Sequence, residues 1–96
     1  MTKAKFDPLI HGQNRLQICA MLALTAEIEF KVLRDKLDVS DSVLSKHLKS
    51  LAEANYVRLT KRKGMGRQHT WLALSTDGRI AYGGHVKSLQ EIVGIN

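Results

Sequence analysis

The chain has 96 residues, 44% hydrophobic and 25% charged, which suffices for one globular domain with a modest core and leaves little room for a second. Its single cysteine, Cys19, excludes an intramolecular disulfide and fits a reducing cytoplasm. No apolar run approaches the roughly 18 to 20 residues that a membrane span requires, and the stretch Met1-Thr2-Lys3-Ala4-Lys5-Phe6-Asp7-Pro8 has no apolar segment directly behind its charges, so neither a membrane association nor a signal peptide is expected.

The net charge of +6 is unevenly placed. Arg58, Lys61, Arg62, Lys63 and Arg67 fall in one stretch without an acid, while the rest of the chain holds ten basic residues against nine acidic ones. A local excess of this kind suits an element that meets a polyanion; a solubilising charge would be spread out.

Residues 1–6 are polar and expected to be loose. Asp7-Pro8 is a helix start, since Asp caps and Pro fits the first helical position, but Gly12 cuts this turn short. A longer helix is expected from about Gln13. Leu16, Cys19, Leu22 and Ala23 form one apolar face and Ile18, Met21 and Leu24 a second strip, so this helix should be buried on more than one side, as by a partner chain. Glu27-Ile28-Glu29-Phe30 alternates and is expected as a short strand. A short helix follows to Leu37, with Phe30, Leu33 and Leu37 on one face.

Leu37 to Lys49 then reads as a helix end, a tight turn and a second helix capped by Ser40 or Asp41 and running to about Ala54. At about 100° per residue, Leu44, Leu48 and Leu51 share a narrow buried face, and Ser42, Ser45, Lys46, Lys49 and Glu53 lie opposite. Such a helix suits insertion into a DNA major groove; the same pattern also describes an ordinary amphipathic helix with a solvated face. His47 lies about 60° from Leu44, near the buried edge. Asn55 tolerates the left-handed conformation that ends helices. Residues 56–61 and 69–74 read as strands joined by Lys63-Gly64-Met65-Gly66-Arg67, a β-hairpin with a basic tip. Ser75 caps a last helix over 76–93, in which Tyr82, Val86, Leu89 and Val93 form a stripe of coiled-coil spacing, widened by Ile80 and Ile92. Gly83-Gly84 inside that helix costs roughly 2 kcal/mol of helix propensity relative to two alanines, which fits either close approach of another backbone or a simple kink.

A helix-turn-helix followed by a hairpin is a winged helix. Asp7-Pro8-Leu9-Ile10-His11 with Arg15-Leu16-Gln17-Ile18, then Phe30 to Leu37, then Leu44-Ser45-Lys46-His47-Leu48-Lys49-Ser50-Leu51, the exit Ala54-Asn55-Tyr56-Val57, and Thr70-Trp71-Leu72-Ala73-Leu74-Ser75 before Gly78-Arg79 together resemble the small winged-helix transcriptional regulators of the MarR and ArsR groups. The resemblance covers residues 6–93. Asn55 stands where the family usually has Gly, Gly12-Gln13-Asn14 where a Pro often opens the main first helix, and the wing keeps an arginine without an acid.

The resemblance implies an α+β, mostly α, fold: one winged helix-turn-helix domain over 1–96, with a two-stranded wing and a C-terminal dimerisation helix. It implies a homodimer that binds double-stranded DNA, its first and last helices pairing across the two-fold axis. The expected DNA contacts are Ser42, Ser45, Lys46 and Lys49 in the major groove and Lys61, Arg62, Lys63 and Arg67 from the wing. The expected dimer contacts are Leu9, Ile10, Ile18, Tyr82, Val86, Leu89 and Val93.

No catalytic constellation or cofactor motif is present in the sequence. Cys19 sits alone among apolar neighbours and His11, His47, His69 and His85 are scattered, so no metal site is expected. The fold leaves room for a small-molecule effector, which no residue identifies. A winged helix used as a protein-interaction module without specific DNA binding stays open as the alternative; retention of the basic wing and helix lysines favours DNA.

Overall fold

In the computed structural model, which describes residues 3–95, the chain runs α1 (Pro8–His11), α2 (Arg15–Ala23), β1 (Ile28–Glu29), α3 (Phe30–Leu37), α4 (Asp41–Glu53), β2 (Val57–Gly64), β3 (Arg67–Leu74) and α5 (Thr76–Val93). The three strands form one antiparallel sheet in the order β1-β3-β2. α3, the turn at 38–40 and α4 make the helix-turn-helix, and β2–β3 is the wing.

Three side chains supply acceptors to helix N–H groups that have no partner within the helix. Asp7 Oδ1 accepts from Leu9 and Ile10 at 3.0 and 3.1 Å, Ser40 Oγ from Val43 at 3.2 Å, and Ser75 Oγ from Gly78 at 2.9 Å. Asp38 closes α3 in the left-handed conformation, with φ 54°. Leu44, Leu48 and Leu51 are buried as one stripe and fasten α4 to a core shared with Ile10, Ile18, Cys19, Leu22, Leu33 and Leu72.

α4 ends at Asn55, whose φ of 63° takes the chain out of the helix. Tyr56 N–H then donates to Leu51 O and Ser75 N–H to Tyr56 O, each at 2.9 Å. The Asn55 side chain donates to Asp77 Oδ2 at 2.8 Å. Gly78 lies so close to Tyr56 O that a Cβ there would overlap it.

The wing is longer than the sequence pattern indicates. The strands pair without interruption from Val57↔Leu74 to Gly64↔Arg67, leaving Met65 and Gly66 as the whole turn. Both have positive φ, 55° and 75°, as a two-residue turn matched to strand twist demands. Gly66 adopts this freely; a left-handed methionine costs roughly 1 to 2 kcal/mol.

The N-terminal segment also departs from expectation. Met1 and Thr2 lie outside the described residues, but residues 3–6 are docked. Lys5 N–H donates to Gly84 O at 2.9 Å, and the Phe6 ring packs against His11 and His85 with centroids 4.9 and 4.7 Å away. Gly84 permits this, because a Cβ there would come within 2.7 Å of Lys3 O. The backbone approaching the α5 glycines therefore includes the chain's own N-terminal segment. Asp7 N–H donates to His85 Nδ1 at 2.9 Å, which requires that nitrogen to be unprotonated. Neutral His85 thus carries its proton on Nε2, facing His11 Nδ1 at 3.2 Å. Burial, then the His11 charge, pull His85 below its ordinary value of 6.5, against an opposing pull from Asp7. Burial, Arg15 and Lys46 lower His47 in the same direction.

Two outcomes follow. Gly78→Ala should destabilise the fold by about 1 to 3 kcal/mol through overpacking against Tyr56 O, although alanine is intrinsically the better helix former; thermal unfolding measures the sign. The unfolded chain protonates at His85 and His47 before the folded chain does. Stability should therefore fall as pH drops below about 6.5 and be insensitive to these groups above it. Urea unfolding across that range checks this, and His85→Gln should flatten the dependence.

Candidate nucleic-acid interface

α4 presents Ser42, Ser45, Lys46 and Lys49 to solvent, all exposed, on the side opposite the buried leucine stripe. Behind the helix, Arg15 donates to Leu9 O through Nε at 2.5 Å and approaches His47 Nδ1 with Nη1 at 3.2 Å. Arg15 is thereby engaged within the fold and braces α4 against α1. In front of the turn, Arg34 bridges Asp35 at 3.1 Å and Asp41 at 2.9 Å, tying α3 to the first turn of α4.

Strand alternation divides the wing into two faces. Leu59, Lys61 and Lys63 continue the core side of β2, with Thr70 and Gln68 opposite Lys61 and Lys63 on β3. This face and α4 enclose an open cleft of about 640 Å³, with Leu48, Leu59 and Phe30 among its apolar lining and Ser45, Lys49 and Lys61 among its polar lining. Candidate DNA contacts from α4 and from the wing are therefore brought to one cleft. Glu53 also lines it.

Arg62 is on the other face. Its Nη2 pairs with Glu27 Oε1 at 2.6 Å, and its guanidinium sits 4.7 Å from the Trp71 ring centroid. Beside it, His69 Nδ1 meets Glu29 Oε2 at 2.6 Å, and His69 Nε2 lies 3.3 Å from Gly64 O. Arg62 is thus engaged by an acid and an aromatic ring and separated from the Lys61 side of the ribbon. Lys63 and Arg67 are exposed near the tip, and Met65 is fully exposed. The acidic braces Glu27 and Glu29 carry almost no mark in the sequence pattern. Their one signal is alternation: Glu27 and Glu29 flank Ile28, which pairs with Leu72 of β3.

Of the expected dimer contacts, Tyr82, Val86, Leu89 and Leu9 are partly exposed and Val93 is 64% exposed. Ile10 and Ile18 require correction: both are fully buried in the chain's own core, so neither offers surface to a second copy. Ile92 and Ile95 are exposed at the open end of α5. Cys19 is buried, and burial chiefly raises its thiol pKa to about 12, leaving it protonated and unreactive. Among the described residues, no group of three or more His, Cys, Asp or Glu side chains is placed to hold a metal ion, and no helix is long and apolar enough to cross a membrane.

A helix-turn-helix joined to a two-stranded wing, with lysines of both lining one cleft, defines a winged-helix nucleic-acid-binding domain. The chain belongs to the winged helix DNA-binding domain family, whose model matches residues 14–93. It is similar to an uncharacterized protein of Methanocaldococcus jannaschii, 31% identical over 78 residues, covering 81% of this chain and 85% of that one. Its fold is similar to that of a transcriptional regulator homologue from Pyrococcus horikoshii, with a TM-score of 0.85 at 20% identity over 90% of this chain and 85% of the other. The transcriptional regulator HlyU from Vibrio vulnificus is 30% identical, with a TM-score of 0.63 over 84% of this chain and 79% of its own. The family defines the domain as a DNA-binding one.

Glu27→Gln should loosen the wing while leaving the core intact. For a half-exposed ion pair the effect is at most about 1 kcal/mol, or roughly five-fold faster amide exchange along β2 and β3. Because Trp71 is the sole tryptophan, its emission should shift in both Glu27→Gln and Arg62→Ala if Arg62 is held over the ring; unchanged emission in both would contradict the stacked arrangement.

Proposed function

We propose that the protein regulates transcription as a homodimer, each copy placing α4 in a major groove and its wing on the adjacent minor groove and phosphates. The observation that carries this reading is the convergence of Ser45 and Lys49 from α4 with Lys61 from β2 on one cleft. The lysines donate to guanine edges or phosphates, and the serines to either a base or a phosphate. Lys63 extends the cationic surface toward the tip, and Arg67, on the other face of the ribbon, adds charge beside the turn. Arg62 serves as the brace that fixes the ribbon's direction, while Glu27 supplies its counter-charge.

Dimerisation is supported by the partly open stripe Tyr82, Val86, Leu89 and Val93 on α5, with Leu9 beside it in the proposed surface and Ile92 and Ile95 extending the exposed apolar area. Two recognition helices then read half-sites about 34 Å apart, and the operator is near-palindromic. A small-molecule effector remains compatible with this arrangement. The cytoplasm is the expected compartment of a protein acting on DNA.

Selection from a random duplex pool followed by a salt titration tests the proposal. A near-palindromic site should emerge, bound with a log–log salt slope of roughly −7 if the dimer makes about eight phosphate contacts. Lys46→Ala and Lys49→Ala should each weaken binding by roughly ten-fold or reduce the slope by about 1, according to whether the lysine meets a base or a phosphate. Undiminished binding by the double variant at moderate salt would overturn the placement of α4. Sedimentation should show a dimer, shifted toward monomer by Leu89→Glu.

A further inference from the structure

We propose that Met65, at the tip of the wing, is an apolar minor-groove contact that selects base pairs lacking an amino group on the groove floor. This rests on the reading of the chain as a duplex-binding regulator and adds a residue and a sequence preference to it.

The argument begins with a conflict. The β2–β3 turn consists of Met65 and Gly66 alone, and both must be left-handed. Asn or Gly suits the first of these positions; methionine, unbranched but bearing a Cβ, does not. Nothing within the fold offsets the strain, because the side chain is fully exposed. Local strain without an internal gain points toward a gain made outside the molecule.

The position indicates what that gain is. Met65 projects from the end of a ribbon whose strands stay paired up to Gly64↔Arg67. Exposed Lys63 and Arg67 flank it. On a duplex, these cations meet the phosphates along the walls of the minor groove, and the side chain between them faces its floor. The groove is only about 6 Å wide, which favours a slender, flexible thioether over a branched or aromatic group. Apolar side chains make such contacts by packing on sugars and base edges or by wedging between steps. A guanine 2-amino group on the floor would lose water to Met65 without gaining a good acceptor, whereas A·T pairs present no such donor.

The test starts from the duplex that the wild-type protein enriches from a random pool. Base pairs under the wing are rebuilt as G·C or as inosine·C, which share a major-groove pattern but differ by the minor-groove amino group. Wild type should bind the inosine·C version roughly five-fold more tightly. Met65→Asn, which suits the turn, should unfold no earlier than wild type yet bind the enriched duplex roughly ten-fold more weakly, the loss expected for one buried side chain. It should also lose the inosine preference while keeping the salt slope, because methionine carries no charge. Arg67→Ala should instead lower the slope by about 1. Unchanged affinity and preference in Met65→Asn would overturn the proposal, whatever Arg67→Ala does. If wild type enriches no duplex at low salt, the DNA-binding reading itself fails and the proposal falls with it.

Discussion

The structure depends most on the peptide unit at Asn55–Tyr56, where four parts of the chain meet within a few atoms. Asn55 turns the chain out of α4, and Tyr56 N–H completes the helix end on Leu51 O. Tyr56 O accepts from Ser75, the residue that caps α5, while Gly78 lets the first turn of α5 press against the same carbonyl. The phenol of Tyr56 then donates to Asp7 Oδ2 at 2.6 Å, reaching the cap of α1. That hydrogen bond, aided by burial, pushes the Tyr56 pKa up to about 12 and keeps the phenol a donor. α4, the root of the wing and α5 therefore share one anchor.

Charge is sorted around that anchor. Two acids near the wing, Glu27 and Glu29, lie on the face of the hairpin away from α4, where they hold Arg62 and His69, while Glu53 lines the cleft on the α4 side. Glu27 and Glu29 both come from the short β1 segment and its approach, which deliver two carboxylates to one face of the ribbon. On the α4 side, Lys49 and Lys61 outnumber Glu53 in the lining of the cleft. A net charge of +6 becomes directional through placement of a few acids as much as through clustering of bases.

The parts of this arrangement legible in the sequence were those with a buried face or a capping atom. Leu44, Leu48 and Leu51 repeat at helical spacing because water is excluded from that face of α4, and Ser75 marks the start of α5 because an orphan N–H needs an acceptor. The outer wing carries no such signal. From Thr60 to Gly64 and from Arg67 to Thr70 the ribbon has no fully buried side chain, so its sequence need not alternate, and the strands outrun their pattern. Docking of residues 3–6 was equally hidden, since it uses backbone atoms, a space left by Gly84 and a histidine whose role depends on a tautomer. Ile10 and Ile18 read as partner surface in the sequence because apolarity does not distinguish a chain's own core from another copy.

The same distinction explains α5. A helix anchored in a small core would ordinarily turn its largest apolar side chains inward. Here the buried positions are Gly78, Gly84, His85 and Ser88. Glycines let Tyr56 and the N-terminal segment approach closely, and Ser88 donates to His85 O at 2.6 Å. The inward face is therefore built for short distances and hydrogen bonds. Val93, Ile92 and Ile95 remain exposed, and Tyr82, Val86 and Leu89 are only partly covered. A contiguous apolar stripe left open on one helix costs solubility in a monomer and gains burial in a dimer. Close packing of α5 against its own chain thus fixes the orientation in which its apolar side faces outward, and protonation of His85 would loosen the segment that helps hold that orientation.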